Sequence, residues 1–487
     1  MKSDLFHKTL KVSGVLLRVL CFAVISTEAS GQTGTGAGYS PDSGAAVTEA
    51  SAVNLQEALA AALANYPELA MYRHKTEIAE LRRKKAYQTY LPKASLEARY
   101  TFLNETIGIT LPDIQFEPVP GLIIAPDLPD VQLQSDRYFR ASLQVEQVLL
   151  TGGEVLYAAR AAEQGRIATV HQAEAAKTAL IVEVTEAWDR VALIQQSVQV
   201  VSDGLARMDF EQERALKAWE EGLIPYYDLT QLRLFRQQLT DQLTELEGAL
   251  QLTHEQLSLL TGLPVSRFAA VSPSSDAAAL LFGEDEELFD SNAEVWQLRP
   301  EWQALNASVQ AGEELVKARR GAYLPTAYAF FHRELYENDL SLLDPVWAAG
   351  AGLRWNIFNR GHTTRELQMA QQQLSISREQ RNLAADGLQL QLQQAMIERN
   401  VAQRRYETAH EMVAEAEVML GLAVRRYELG LGDAGERLQA ETDYQQAQLR
   451  REQAAYALSR ARMKVQKASG QLHAAPFLSS SASSNFN

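Results

Sequence analysis

Asp228 and Glu436 are the residues whose placement first suggests chemistry. Each lies six positions after a glycine, Gly222 or Gly430, that opens a Gly-Leu pair between two long helical stretches. Carboxylates repeated at matching places beside two turns can set a local negative potential, and each can equally be a solvated surface acid. Nothing around them completes a catalytic constellation. The eight histidines are scattered, with no HExxH and no pair at helical spacing, and neither a Walker A loop nor a GxSxG elbow occurs. Cys21 is the one cysteine, which removes disulfide frameworks and CxxC sites, and the eight methionines form no cluster. The chain is therefore expected to have no catalytic residue, no metal site and no cofactor. Asn104-Glu105-Thr106 fits a glycosylation sequon, for which chance is the simpler source.

Bulk properties narrow the partners. A net charge of −15 argues against nucleic acid, and 46% hydrophobic with 22% charged residues fits neither a disordered chain nor a polytopic helical membrane protein. Beyond residue 30 there is no run of ~18 apolar residues, so a membrane role needs β-strands or surface attachment. The first 31 residues carry Lys2, Lys8 and Lys11, then an apolar run from Val12 to Ile25 broken by Arg18, then small residues to Gly31. That order is a secretory signal peptide over 1–31, with a Gly/Ser/Thr/Ala-rich flexible leader over 32–51. Acylation at Cys21 is disfavoured because Arg18-Val19-Leu20 lacks the small residue such a site wants.

The elements that position Asp228 and Glu436 come in two copies. Tyr66-Pro67-Glu68, Tyr90-Leu91-Pro92, Gly152-Gly153, Glu221-Gly222-Leu223 and Leu260-Thr261-Gly262 are answered by a second series. That series is Arg299-Pro300-Glu301, Tyr323-Leu324-Pro325, Arg360-Gly361, Leu429-Gly430-Leu431 and Ala468-Ser469-Gly470. Pro67 to Pro92 and Pro300 to Pro325 both span 25 residues; Gly153 to Gly222 and Gly361 to Gly430 both span 69; Gly222 to Gly262 and Gly430 to Gly470 both span 40. One interval is longer in the first copy by 25 residues, which marks a duplicated unit with one enlarged loop.

Each copy opens on a capping signature, Asn54 to Glu57 and Ser291 to Glu294, and a helical pattern that runs to Pro92 or Pro325. Those prolines are the expected helix-to-strand junctions. Period-two alternation follows: Ala94, Leu96, Ala98, Tyr100 and Phe102 on one side, with Lys93, Ser95, Glu97, Arg99 and Thr101 on the other. A returning strand sets Ala141, Leu143 and Val145 against Arg140, Ser142, Gln144 and Glu146. In the second copy Trp347, Ala349, Ala351, Leu353, Trp355 and Ile357 share a face, with Arg354 and Asn356 opposite. Four strands of this length, apolar on one side, suit a transmembrane β-barrel or the half-buried strands of a soluble sheet. The rest is long helix. Gly153 to Glu221 holds no proline, and its return limb repeats Leu239, Leu243, Leu246, Leu250, Thr253, Leu257 and Leu260 at alternating steps of four and three, an antiparallel coiled-coil seam. Ala447, Ala454, Leu458, Ala461, Val465 and Ala468 follow the same frame in the second copy.

In order and spacing these features resemble the TolC-type outer-membrane efflux channel family. The carrying residues are Asn54-Leu55-Gln56-Glu57-Ala58-Leu59 leading to Tyr66-Pro67-Glu68, the Leu-Pro pairs at 91–92 and 324–325, and Trp355-Asn356-Ile357-Phe358 running into Arg360-Gly361. Gly222-Leu223, Gly430-Leu431 and Leu260-Thr261-Gly262 complete the set, over about residues 52–472. The resemblance implies a mixed α and β membrane protein, multi-pass in the bacterial outer membrane. Its duplicated unit gives four transmembrane strands, twelve in the shared barrel of a homotrimer, above a periplasmic α-barrel of coiled-coil helices. It also implies no enzymatic activity, a periplasmic adaptor (membrane fusion) protein docked at Gly222, Leu223, Gly430 and Leu431, and an inner-membrane transporter of RND, ABC or MFS type. A periplasmic gate would include Asp228, Tyr427, Glu436 and Gln439. Gln439 replaces a constricting acid of the family pattern, and Gly432 replaces a basic latch residue.

On this reading the first repeat covers 52–262, with strands at 93–103 and 138–150 around an extracellular loop at 104–137. That loop holds five prolines and could narrow the outer mouth or be a variable surface loop without a gating role. An equatorial linker covers 263–290; the second repeat, 291–472, has strands at 326–335 and 346–358; a polar tail covers 473–487. The implied function is an exit channel for a tripartite efflux pump or a type I secretion system, conducting passively. The alternative from the residues alone is a soluble extracytoplasmic coiled-coil scaffold.

Overall fold

The computed structural model describes residues 53–109, 116–120, 122–124, 131–269, 271–272, 295–337 and 345–472. The expected signal peptide and leader, the capping signature at Ser291 to Glu294, the acidic part of the linker and the polar tail lie outside the described residues, as does much of the proline-rich loop.

Two helices occupy the stretch after Asn54. Helix α1 (Leu55–Asn65) starts where the Asn54 side chain accepts a hydrogen bond from the Glu57 amide at 2.8 Å. The pattern then breaks. Pro67 is the first residue of α2 (Pro67–Gln88), a position where its missing N–H costs nothing, and it holds Tyr66 extended at φ −66°, ψ 121°. The single helical pattern expected up to Pro92 is thus two helices, and α2 ends at Gln88. Arg299 and Pro300 open α5 (Pro300–Gly321) in the same way.

Strand β1 (Lys93–Phe102) begins directly after Pro92, and β7 (Thr326–Glu337) directly after Pro325. With β6 (Arg137–Leu150) and β8 (Trp347–Arg354) they form a four-stranded sheet in the order β1-β6-β7-β8, antiparallel throughout. Strand β8 is shorter than the alternation up to 358 suggests. Arg354 pairs with Thr326, the first residue of β7, and the next residue in that direction is Pro325, which has no N–H for the ladder. Trp355 leaves the sheet and its indole N–H donates to the Tyr323 carbonyl oxygen at 3.0 Å. Between β1 and β6 lie two short ladders, β2 (Ile107–Ile109) with β5 (Val131–Gln134) and β3 (Phe116–Val119) with β4 (Leu122–Ile124).

Register assigns the faces. Leu96 lies opposite Leu143, Val145 opposite Phe331, and Phe331 opposite Ala349, so one face is apolar across all four strands. Leu96, Phe102, Trp347 and Leu353 on it are exposed within the chain. On the other face Tyr328 and Phe330 sit over Gly352 and Gly350, where an added Cβ would come within 2.6 Å and 3.0 Å of their rings. Those glycines form the hollows that let large aromatics lie on the mainly polar side. Strands β1 and β8 are the sheet's edges, and neither pairs further among the described residues.

The long helices are α3 (Glu154–Glu220) and α4 (Tyr226–Thr261), then α6 (His362–Glu428) and α7 (Ala434–Ala468). At 67 residues each, α3 and α6 are ~100 Å long at 1.5 Å per residue. Each packs against its own return helix, and α3 also packs against α7. None of the seven seam residues from Leu239 to Leu260 is exposed. The largest core joins Leu59 of α1, Ile181, Val184 and Trp188 of α3, Leu257 of α4 and the fully buried Phe268 of a short turn. Trp188 meets Phe268 edge to face and donates from its indole N–H to the Ser272 carbonyl oxygen at 2.8 Å. Among the described residues no helix is long and apolar enough to cross a membrane.

Candidate functional site at the helical turns

The turns between α3 and α4 and between α6 and α7 have the same construction. Gly222 and Gly430 hold φ of 76° and 69°, left-handed values that suit glycine. The Leu223 amide donates to the Ala218 carbonyl at 2.8 Å and the Gly222 amide to Trp219 at 2.9 Å; Leu431 donates to Arg426 at 2.9 Å and Gly430 to Tyr427 at 3.0 Å. This paired bonding satisfies the last carbonyls of each helix and throws Leu223 and Leu431 outward, where both are exposed. An added Cβ would meet nothing at either glycine, so the backbone angle alone demands the residue.

Behind the turns, polar groups join the two hairpins. Arg437 of α7 donates from Nη1 to Glu211 Oε2 of α3 at 2.8 Å, with side chains 8% and 12% exposed. Arg214 reaches Glu211 at 3.4 Å and Glu428 at 3.6 Å. One turn further from the tip, Arg207 donates from Nε and Nη2 to Glu441 Oε1 at 2.9 Å and 2.7 Å. Arg-x3-Glu occurs on each helix, Arg207 to Glu211 and Arg437 to Glu441, and antiparallel packing makes the two copies complementary. That repeated tetrad spacing is the signal of this lock in the sequence, and the candidate residues drawn from the turns do not include it. Burial alone pushes the Glu211 carboxyl up, but the hydrogen bond and charge of Arg437, aided by Arg214, outweigh it and hold the group below its ordinary range.

Of the four expected gate residues, Asp228 acts electrostatically on Tyr427, while Glu436 and Gln439 bond within their own turn and helix. Tyr427 is half-buried, with the Arg437 guanidinium 5.4 Å over its ring. Burial and the nearby charge of Asp228 push its hydroxyl up. Asp228 is itself pushed up, by burial and then by Asp433, whose side chain caps α7 by accepting from the Glu436 amide at 2.7 Å. Glu436 lies on the surface of its own turn, 3.4 Å from Arg426, and Gln439 bonds Asp443 on its own helix. Arg426 also donates to the Leu431 carbonyl at 3.2 Å, so this turn holds a guanidinium although position 432 is glycine. Among the described residues no group of three His, Cys, Asp or Glu side chains could hold a metal ion. The arrangement is a mechanical lock of ion pairs behind two apolar-tipped turns.

Residues 293–471 match the family model of the outer membrane efflux protein. The second repeat is similar to that family over nearly its whole length. Solved structures share the fold over most of the chain. The outer membrane protein VceC of Vibrio cholerae is 18% identical, with TM-score 0.67 over 85% of this chain and 96% of its own. The CmeC outer membrane channel of Campylobacter jejuni is 16% identical, with TM-score 0.68 over 94% and 98%. CusC, described in terms of its transmembrane channel formation, is 17% identical, with TM-score 0.71 over 86% and 92%. No curated protein sequence matches. The matched segment contains α5, β7, β8, α6 and α7, and therefore one turn of the pair, half of the sheet and half of the ion-pair lock.

Proposed function

We propose that the chain is one subunit of a homotrimeric exit channel in the bacterial outer membrane. It would serve a tripartite efflux pump or a type I secretion system and conduct passively from a periplasmic adaptor and inner-membrane transporter to the exterior. The carrying observation is the four-stranded sheet with two free edges and one exposed apolar face. Four strands cannot close on themselves, whereas backbone groups in lipid require a closed barrel, so copies must join edge to edge. Three copies give twelve strands. Strands of 8 to 14 residues suit a bilayer crossing. The same exposed face disfavours the soluble scaffold, in which the strands pack on the chain's own core.

In this reading the helices extend into the periplasm as a tunnel, the Gly222-Leu223 and Gly430-Leu431 turns meet the adaptor, and Asp228, Tyr427, Glu436 and Gln439 line or support its constriction. Three-fold repetition of Asp228 and Glu436 would favour cations there. Valine at Gly222 or Gly430 cannot hold the left-handed angle without strain. Gly222→Val and Gly430→Val are each expected to abolish complementation of export in a deletion strain while oligomers still reach the outer membrane. Wild-type drug tolerance in both variants would overturn the assignment of the turns.

A further inference from the structure

The duplication identifies the surface by which one copy of the chain holds the next. Gly153, Gly222 and Gly262 each recur 208 positions later, at Gly361, Gly430 and Gly470, so α3 corresponds to α6 and α4 to α7. Within the chain α3 packs against α7. The corresponding packing, α6 against α4, is not among the packed helix pairs of the described residues.

The unmade contact leaves an uncovered stripe. On α3, Val182 and Asp189 are 9% and 6% exposed; 208 positions on, Leu390 and Ile397 of α6 are 63% and 64% exposed. Met419 and Leu422, which correspond to Glu211 and Arg214 of the lock, are exposed as well. A stripe whose counterpart is buried by α7 is fitted for the counterpart of α7, and that helix is α4.

Charge supplies the register. The first seam sets Arg207 of α3 against Glu441 of α7. Arg207 corresponds to Glu415 of α6, and Glu441 corresponds to Arg233 of α4, so the same pair recurs with its signs exchanged. Arg233 and Glu415 are exposed and make no ion pair among the described residues. At the tip the same alignment brings Leu422 beside Tyr226, both exposed apolar groups. The exchange of signs also excludes wrong partners. Joining α3 to a neighbour's α4 would face Arg207 with Arg233, and joining α6 to a neighbour's α7 would face Glu415 with Glu441.

We propose that α6 of one copy docks on α4 of a second copy, antiparallel and in the register that pairs Glu415 with Arg233. This rests on the ring of copies proposed above and specifies its seam. The test uses the full-length chain with Cys21→Ser, extracted in detergent, carrying Arg233→Cys with Glu415→Cys and treated with a short bismaleimide. A control pairs Arg233→Cys with Arg404→Cys, which is displaced by 11 residues, ~16 Å along the helix. Linked copies for the first pair and none for the control are expected. In parallel, Arg233→Glu is expected to lower the temperature at which the oligomer dissociates, and Glu415→Arg added to it to restore that temperature. An intact oligomer whose first pair does not link, or links no better than the control, would overturn the seam and leave the exit channel standing. A chain that runs as a monomer would overturn both.

Discussion

Glu211→Ala is expected to weaken the hold of α3 on α7 by about 3–5 kcal/mol, the usual cost of breaking a buried ion pair by removing one partner. The reason is what remains. Arg437 is buried, its Nη1 loses the 2.8 Å bond to Glu211, and its Nε already lacks an acceptor. Glu441 is close enough to act on Arg437, but Arg207 already engages it, so it offers only partial compensation. Amide exchange should accelerate around residues 205–215 and 434–445, with the cores around Trp188 and Trp296 unaffected. Adding Arg437→Met should recover most of the loss, because an apolar pair needs no countercharge. Unchanged exchange in the single variant would show that the lock carries no stability. The pH dependence has a fixed sign. The folded Glu211 carboxyl lies below its ordinary value, so its contribution is complete above the usual glutamate range, about 4.3, and fades as pH falls through the lower folded value. The alanine variant should lose that acid sensitivity.

Gly152→Val is the second large effect. Gly152 holds φ 60°, where a non-glycine residue costs about 1–2 kcal/mol. An added Cβ would also stand 2.5 Å from Leu324 Cβ and 2.7 Å from the Gly321 carbonyl oxygen, and relieving such overpacking costs a further ~1–3 kcal/mol. The collision lies where β6 passes into α3 against the end of α5, the joint between the two repeats. A lower unfolding midpoint and new protease cleavage near that joint are expected. The corresponding residue of the second repeat is Arg360, which holds φ 58° with a side chain present, so the angle alone is tolerated. Arg360→Gly should accordingly be neutral or slightly stabilising. An unchanged midpoint in Gly152→Val would mean that the joint yields freely.

What the sequence discloses follows from how local each constraint is. The matched glycines are legible because a left-handed angle excludes almost every other residue, and six of them, from Gly153 to Gly470, hold positive φ in this fold. Alternation is legible in β1, β6 and β8, but not in β7, where Tyr328 and Phe330 stand on the mainly polar face over glycine hollows contributed by β8. The end of β8 depends on Pro325 in a neighbouring strand, and the break at Tyr66-Pro67 on a proline tolerated at the start of α2 but not inside one helix. At the turns, Asp228 and Tyr427 are 199 residues apart, and a resemblance joins them before the fold does. The Arg437 to Glu211 pair has only the matched Arg-x3-Glu spacing of the two helices to announce it. It needs the antiparallel register of α3 and α7, which periodicity within one helix does not set.

In the proposed function one chain makes a third of a channel wall. The most direct test is the native mass of the full-length protein extracted by detergent from fractionated cells. Three chains recovered from the outer-membrane fraction, dissociating on heating, is the predicted result. A single chain recovered from the periplasm would contradict it.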